Sequence, residues 1–215
     1  MPHSHSQVFQ VRLFQPGDED AVYEVCLRTG DAGKDGTHLY SDSKILGHIY
    51  VGPYMRFEPE FAFVLTDHLG LCGYVLGALD SWLYYKRYEE EWLPRIRQRF
   101  SCPAGDPGSW SPTERLCHEL HFPQIYLPET FRGYPSHLHI DLLPRAQGKG
   151  QGRPMIETLM DALRARGSIG VHLGMAASNS RAERFYRKLG FTDLALHGPP
   201  EDATLFLGKR LAESN

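Results

Sequence analysis

Three glycines alternate with long polar side chains in Gln147-Gly148-Lys149-Gly150-Gln151-Gly152, and this hexapeptide lies between a strand pattern and a helix pattern. Before it, residues 137–143 alternate, with His137, His139 and Asp141 on one face and Leu138, Ile140 and Leu142 on the other. After it, residues 154–166 place Met155, Ile156, Leu159 and Leu163 on one helical face and Glu157, Asp161 and Arg164 on the opposite one. Pro154 is tolerated because it falls in the first turn. Such a connection restricts the fold. Glycine admits positive φ, so successive N–H groups can converge on one anion. The helix behind adds its dipole and its unpaired amides. Lys149 and Arg153 bring positive charge, and a diphosphate suits the arrangement. The spacing is neither G-x-x-x-x-G-K-[ST] nor G-x-G-x-x-G, which argues against a Walker-type NTPase and a Rossmann dinucleotide site. Taken alone, the hexapeptide could equally be a glycine-rich surface turn.

The rest of the last third extends a mixed α/β pattern. Residues 169–176 read as a strand, and Ser180-Arg181-Ala182-Glu183 reads as a capping box that opens a short helix. Ala182, Phe185 and Leu189 make its apolar stripe, and Gly190 ends it. Phe185 takes the core-facing slot, so Tyr186, turned about 100° away, is expected to face a cleft. Residues 191–196 and 204–207 are final strands. Upstream, residues 8–14 form a strand, and Asp18 caps a helix that buries Val22, Val25 and Cys26. A loop covers 30–36, and one short helix with a connection covers 40–54. Residues 61–65 and 71–79 make a hairpin around 66–70. Residues 84–100 read as helical despite Pro94, 102–111 as a loop, and 113–120 as another helix. The expected organisation is a disordered tail over 1–7 and a single domain over 8–211, with a helical insertion at about 81–136, before the fourth strand.

A net charge of −3 over 215 residues offers no basic excess for nucleic acid. No apolar run approaches the roughly 20 residues that span a bilayer. Met1 to Ser6 is polar and lacks the apolar core of a signal peptide. Cys26, Cys72, Cys102 and Cys117 are widely spaced with no C-x-x-C pair, so reduced thiols and a cytoplasmic location are expected.

Gln147-x-x-Gly150-x-Gly152 matches the Gln/Arg-x-x-Gly-x-Gly/Ala signature of the GNAT N-acetyltransferase superfamily. Leu142-Leu143-Pro144 resembles the strand end that precedes that loop. Asn179, Ala182, Phe185-Tyr186 and Leu189-Gly190-Phe191 resemble the second half of the pattern, in the same order and context. The resemblance implies a GNAT fold of class α/β (α+β). Its central mixed sheet is mostly antiparallel, splayed between two parallel strands and flanked by helices. It implies acetyl-CoA as cosubstrate. Gln147, Gly148, Lys149, Gly150, Gln151, Gly152 and Arg153 would hold the diphosphate. Leu142 and Leu143 would offer backbone contacts to the pantetheine arm, Asn179 a side-chain contact, and Tyr186 a hydroxyl near the sulfur. Further stretches, including Ser41-Asp42-Ser43-Lys44-Ile45-Leu46-Gly47, Val51-Gly52-Pro53-Tyr54, Cys72-Gly73-Tyr74-Val75-Leu76-Gly77 and Leu127-Pro128-Glu129-Thr130-Phe131, resemble the acetyltransferase-like C-terminal domain of animal O-GlcNAcases. That likeness runs from about Phe9 to Leu211. Hydrolase activity is not carried over with it. The animal domain looks like a pseudo-acetyltransferase with a degraded glycine loop, whereas the loop here is intact.

Acetyl transfer to an amine needs a base, an oxyanion donor and an acid for the departing thiolate. Asp141 is the favoured base, directly or through water, with His137 and His139 as further candidates on a solvated or hydrogen-bonded strand face. Tyr186 is the expected acid, and backbone N–H near Leu142 the expected oxyanion donor. The acceptor is an unidentified amine, either a small molecule or a protein lysine. Tyr- and Trp-rich segments at 40–54 and 82–131 would line its pocket or form a homodimer contact. Two other readings compete. One is an inactive acetyl-CoA-binding or peptide-recognition module. The other is a metal hydrolase on His137, His139 and Asp141, although no metal is expected. Cys117-His118-x-x-His121 more naturally decorates a helix, and Asp31-x-x-x-Asp35-Gly36 is too short for an EF-hand loop.

Overall fold

In the computed structural model, which describes residues 8–211, seven strands form one sheet. They are β1 (Gln10–Leu13), β2 (Ala62–Asp67), β3 (Gly70–Ala78), β4 (Ser136–Leu142), β5 (Gly170–Ala176), β6 (Thr192–His197) and β7 (Thr204–Arg210). The order across the sheet is β1-β2-β3-β4-β5-β7-β6. All neighbours are antiparallel except β4 and β5. That parallel pair meets only at Ser136–Val171 and His137–His172. From Leu138 to Leu142, β4 has no partner on its β5 side, and this is the splay the site uses. The expected 1–7 tail lies outside the described residues.

Strand β3 is central because it is covered on both faces: Cys72, Tyr74, Val75, Leu76 and Ala78 are all fully buried. Helix α7 (Gly152–Ala165) covers one face with Met155, Ile156, Leu159, Met160 and Leu163, the stripe its spacing demands. It lies close because Gly77 has no side chain: a Cβ there would stand 2.7 Å from Leu159. The opposite face is covered by α1 (Glu19–Arg28), α2 (Ile45–Tyr50) and α3 (Gly52–Phe57), so residues 40–54 hold two short helices where one was expected. Tyr74 points to this side, beside Cys26 of α1. Asp18 does not cap α1 with its side chain. Its carboxylate takes a bidentate Arg12 guanidinium at 2.6 and 2.7 Å and the Gln15 amide at 2.8 Å, so the stronger ionic partner wins.

The insertion is helical, with α4 (Ser81–Arg87), a π turn at Tyr88–Trp92, α5 (Leu93–Arg97) and α6 (Pro112–His121). The π turn accounts for Pro94. Leu93 donates to the Tyr88 carbonyl, and the widened turn precedes a proline at the start of α5. Ser111 and Glu114 cap α6 reciprocally. The Trp92 indole donates to the His48 carbonyl at 2.7 Å, and Arg97 to that of Leu120 at 2.8 Å, tying the insertion to α2 and closing it on itself. No helix among the described residues is long and apolar enough to cross a membrane.

Candidate functional site

The glycine loop begins where β4 ends. The Leu143 amide donates to the Cys72 carbonyl at 2.8 Å, and the Leu143 carbonyl accepts from Ala146 at 2.8 Å, which turns the chain. Gly148 and Gly150 have φ of +69° and +78°, and a Cβ at either would touch nothing within 4 Å. These positions need glycine for conformation, not for space. Gly152 is the reverse: a Cβ there would stand 2.9 Å from the Phe185 ring, where α7 meets α8 (Ser180–Lys188). The amides of Gly148, Lys149, Gly150 and Gln151 make no well-formed hydrogen bond among the described residues, and Gln151 leaves the start of α7 without a side-chain cap. N–H groups without strong partners and a helix N-terminus thus lie side by side.

They open onto a cavity of about 990 Å³. Asp141, Leu142, Gln147, Gly148, Gly150, Gln151, Gly152, Arg153, Asn179 and Tyr186 all line it. Leu143 and Lys149 do not. Leu143 is buried with its amide committed to β3. Amides alternate sides along a strand, so that bond aims the N–H groups of Ile140 and Leu142 towards the β5 side, into the splay. Gln147 braces the site: its Nε2 donates to the Leu142 carbonyl at 2.8 Å, and its Oε1 accepts from Arg181 at 3.1 Å. Arg153 is engaged with Glu157 at 3.1 Å and with the Lys188 carbonyl.

Two local expectations are corrected around α8. Its N-cap is Asn179, not Ser180: Asn179 Oδ1 accepts from the Ala182 amide at 3.0 Å, leaving Nδ2 for the cavity. Tyr186, not Phe185, is the buried aromatic of the helix, packed edge-on against Phe191 at 5.7 Å. The helix ends at Gly190 (φ +86°), whose turn returns the Phe191 amide to the Tyr186 carbonyl at 3.1 Å. The Tyr186 hydroxyl has no hydrogen bond within the described residues. Burial, and secondarily the Asp141 charge, raises its pKa, so it keeps its proton.

Behind Asp141 stands a short network. The Tyr74 hydroxyl donates to Asp141 Oδ2 at 2.6 Å and lies 3.0 Å from His139 Nε2, which is itself 3.2 Å from the same carboxylate oxygen. The Tyr74 proton is used on Asp141, so His139 Nε2 carries a proton and donates. His139 also faces a second cavity of about 480 Å³, enclosed by α2–α4, α6 and β5. Asp141 lines the larger cavity and His139 the smaller, so the 3.2 Å pair stands between the two. Of the solvated and hydrogen-bonded alternatives, His137 takes the second: it is bonded to Ser81 Oγ at 2.7 Å and buried at 4% exposure among Tyr54, Tyr84 and Tyr85, and burial drives its pKa down. Among the described residues, no three His, Cys, Asp or Glu side chains are grouped to hold a metal.

Four contributors escaped the sequence reading. Tyr74 reaches Asp141 only through the β3–β4 register, which pairs them directly. Arg181 reaches Gln147 across the loop. Residues 32–35, with Ala32 and Gly33 at φ +49° and +88°, form the far lip of the larger cavity. Glu119 lines the smaller one from within the insertion. A basic residue in the first turn of α8 was the one local hint.

A sequence profile of the acetyltransferase (GNAT) family matches residues 125–191. Protein O-GlcNAcase of Rattus norvegicus is 31% identical over 208 residues, covering 96% of this chain, and the chain spans 22% of that protein's length. The crystal structure of SsHAT superimposes with a TM-score of 0.86 at 41% identity, over 95% of this chain and 99% of that one. YncA from Salmonella typhimurium, solved with its cofactor acetyl-CoA, shares the fold at a TM-score of 0.56 and 16% identity, over 96% of this chain and 95% of that one.

Proposed function

This chain belongs to the acetyltransferase (GNAT) family, and on that premise we propose that it binds acetyl-CoA and transfers the acetyl group to an amine. One observation carries the reading: Gly148, Gly150 and Gln151, whose amides make no well-formed hydrogen bond at the uncapped start of α7, line the same cavity as Asp141 and Tyr186. The diphosphate lies on those amides, with the α7 dipole behind it. The pantetheine arm runs along the free edge of β4, bonded by the Leu142 amide, and reaches Asn179 Nδ2. YncA, which shares the fold, holds acetyl-CoA as its cofactor.

The thioester then lies at the junction of the two cavities, and the acceptor approaches through the smaller one, past His139. Asp141, held by Tyr74 and His139, takes a proton from the ammonium. The neutral nitrogen attacks the thioester carbonyl, and a backbone N–H of the β4 edge stabilises the oxyanion. The C–N bond forms, the C–S bond breaks, and the second proton of the nitrogen passes to the departing sulfur, so amide and neutral thiol leave. The Tyr186 hydroxyl supplies a hydrogen bond to the leaving sulfur. Full proton transfer from the tyrosine to that sulfur is uphill, since thiols titrate near about 8.5 and the Tyr186 pKa is raised.

Calorimetric titration with acetyl-CoA, followed by thiol release with a panel of amines, tests the reading. Saturable binding and amine-dependent thiol are expected. Absence of binding defeats it. Binding without turnover on any amine favours the non-catalytic module.

A further inference from the structure

The smaller cavity has a one-sided chemistry. Its only charged wall group is Glu119, on α6; no Lys or Arg lines it among the described residues. Six tyrosines surround the space: Tyr50, Tyr54, Tyr84, Tyr85, Tyr88 and Tyr126. Its volume, about 480 Å³, falls in the range of small-ligand pockets, about 300–1,000 Å³.

The wall also holds an unmet acceptor. His137 is 4% exposed, and its Nε2 has no hydrogen-bond partner. Its tautomer follows from Ser81. The Ser81 hydroxyl has one proton, and at 2.7 Å it faces the Pro135 carbonyl, which can only accept. Ser81 Oγ must then accept from His137 Nδ1, also at 2.7 Å. Nδ1 therefore carries the imidazole proton, and Nε2 presents a lone pair. The atom is enclosed by Tyr54, Tyr84 and Tyr85, so its lone pair adds negative potential to the wall without being open to a ligand. The Tyr50 hydroxyl reaches Glu119 only at 3.4–3.5 Å, a loose contact that leaves the carboxylate able to take a stronger partner.

A carboxylate, the negative potential of an imidazole lone pair and a wall of six tyrosines share one complement, a cation. Asp141 deprotonates the attacking nitrogen, whereas Glu119 stands on α6, in the wall of the smaller cavity that Asp141 does not line, so a positive charge held at Glu119 belongs to a second nitrogen. We infer that the tyrosine-walled cavity selects small aliphatic diamines, holding one ammonium against Glu119 while the other nitrogen reaches the His139–Asp141 pair. The inference rests on the acetyl-transfer reading of the site, and its test separates the two.

Calorimetry of the whole chain compares 1,4-diaminobutane, butylamine and a peptide with one lysine, each with and without acetyl-CoA. The diamine is expected to bind at least about tenfold tighter than butylamine, the scale of one charged hydrogen bond. Glu119→Gln is expected to abolish that preference while leaving acetyl-CoA affinity unchanged. Equal affinity for diamine and monoamine, or a lysine peptide binding as well as the diamine, overturns the inference on the wild-type chain alone. Diamine binding without acetyl-CoA binding would leave the cavity assignment standing and remove the transferase reading.

Discussion

Gly150→Ala isolates the conformational demand of the loop. The residue sits at φ +78°, and an added Cβ would meet no atom within 4 Å, so neither clash nor new packing enters. What remains is the left-handed backbone, which costs an alanine roughly 1–2 kcal/mol. That cost can fall in one of two places. If the loop keeps its shape, stability drops. If the loop relaxes, acetyl-CoA must restore the shape, and affinity drops instead. The neighbouring amides make no well-formed hydrogen bond to hold them, so the loop is expected to relax. The dissociation constant should then rise about 5- to 30-fold, with Tm almost unchanged. Gly152→Ala serves as the contrast. Its Cβ would stand 2.9 Å from the Phe185 ring, so its effect should appear first in Tm as the α7–α8 contact shifts. Calorimetry and thermal denaturation of both variants provide the assay. Wild-type affinity and wild-type Tm together in Gly150→Ala would refute the reasoning, because the strain would have no place to go.

Tyr186→Phe is expected to lower thiol release by about 100-fold, the scale of losing one hydrogen-bond donor to developing charge, without weakening acetyl-CoA binding; unchanged turnover removes the tyrosine from the chemistry. Asp141→Asn should reduce turnover comparably and flatten the acidic limb of the pH–rate profile, whereas an intact limb would move the base elsewhere. Stability should fall on acidification through the buried histidines. The His48 ring is buried, and Arg99 lies 3.1 Å from Nε2; burial, then the Arg99 charge, pushes its pKa down to about 4. A histidine depressed in the folded state binds its proton mainly when unfolded, so its contribution is complete above about pH 6.5 and is lost as pH falls from there towards 4. His48 alone accounts for up to about 3 kcal/mol, and His137 and His172 act in the same direction. Tm measured from pH 7 to 4 should fall, and the slope should be shallower in His48→Gln; an identical slope would contradict the assignment.

The parts legible in the sequence were those that local pattern determines. The stripe Met155, Ile156, Leu159 and Leu163 marks α7 because its period is helical and its flanks are charged. The glycine loop was legible because positive φ at Gly148 and Gly150 leaves few other residues to use. What was missed depends on distant partners. Helical spacing gives a stripe but not its depth, so Phe185 was placed inward, although it packs at the α7–α8 seam and Tyr186 fills the core. Asn179 outcompeted Ser180 as cap through the position of one turn. Asp18 looked like a cap until Arg12, from the preceding strand, took its carboxylate. Alternation on β4 leaves His137 either solvated or hydrogen-bonded, because it does not reveal that α3 and α4 cover that face. Tyr74 and Glu119 enter the site through strand register and the insertion, neither of which a local window contains.

Hydrogen exchange resolved at the amides of Gly148, Lys149, Gly150 and Gln151, with and without saturating acetyl-CoA, addresses the diphosphate cradle most directly. These N–H groups make no well-formed internal hydrogen bond, so they should exchange rapidly in the free protein and become strongly protected in the complex. Unchanged exchange at all four, under conditions where calorimetry shows the ligand bound, would contradict the account.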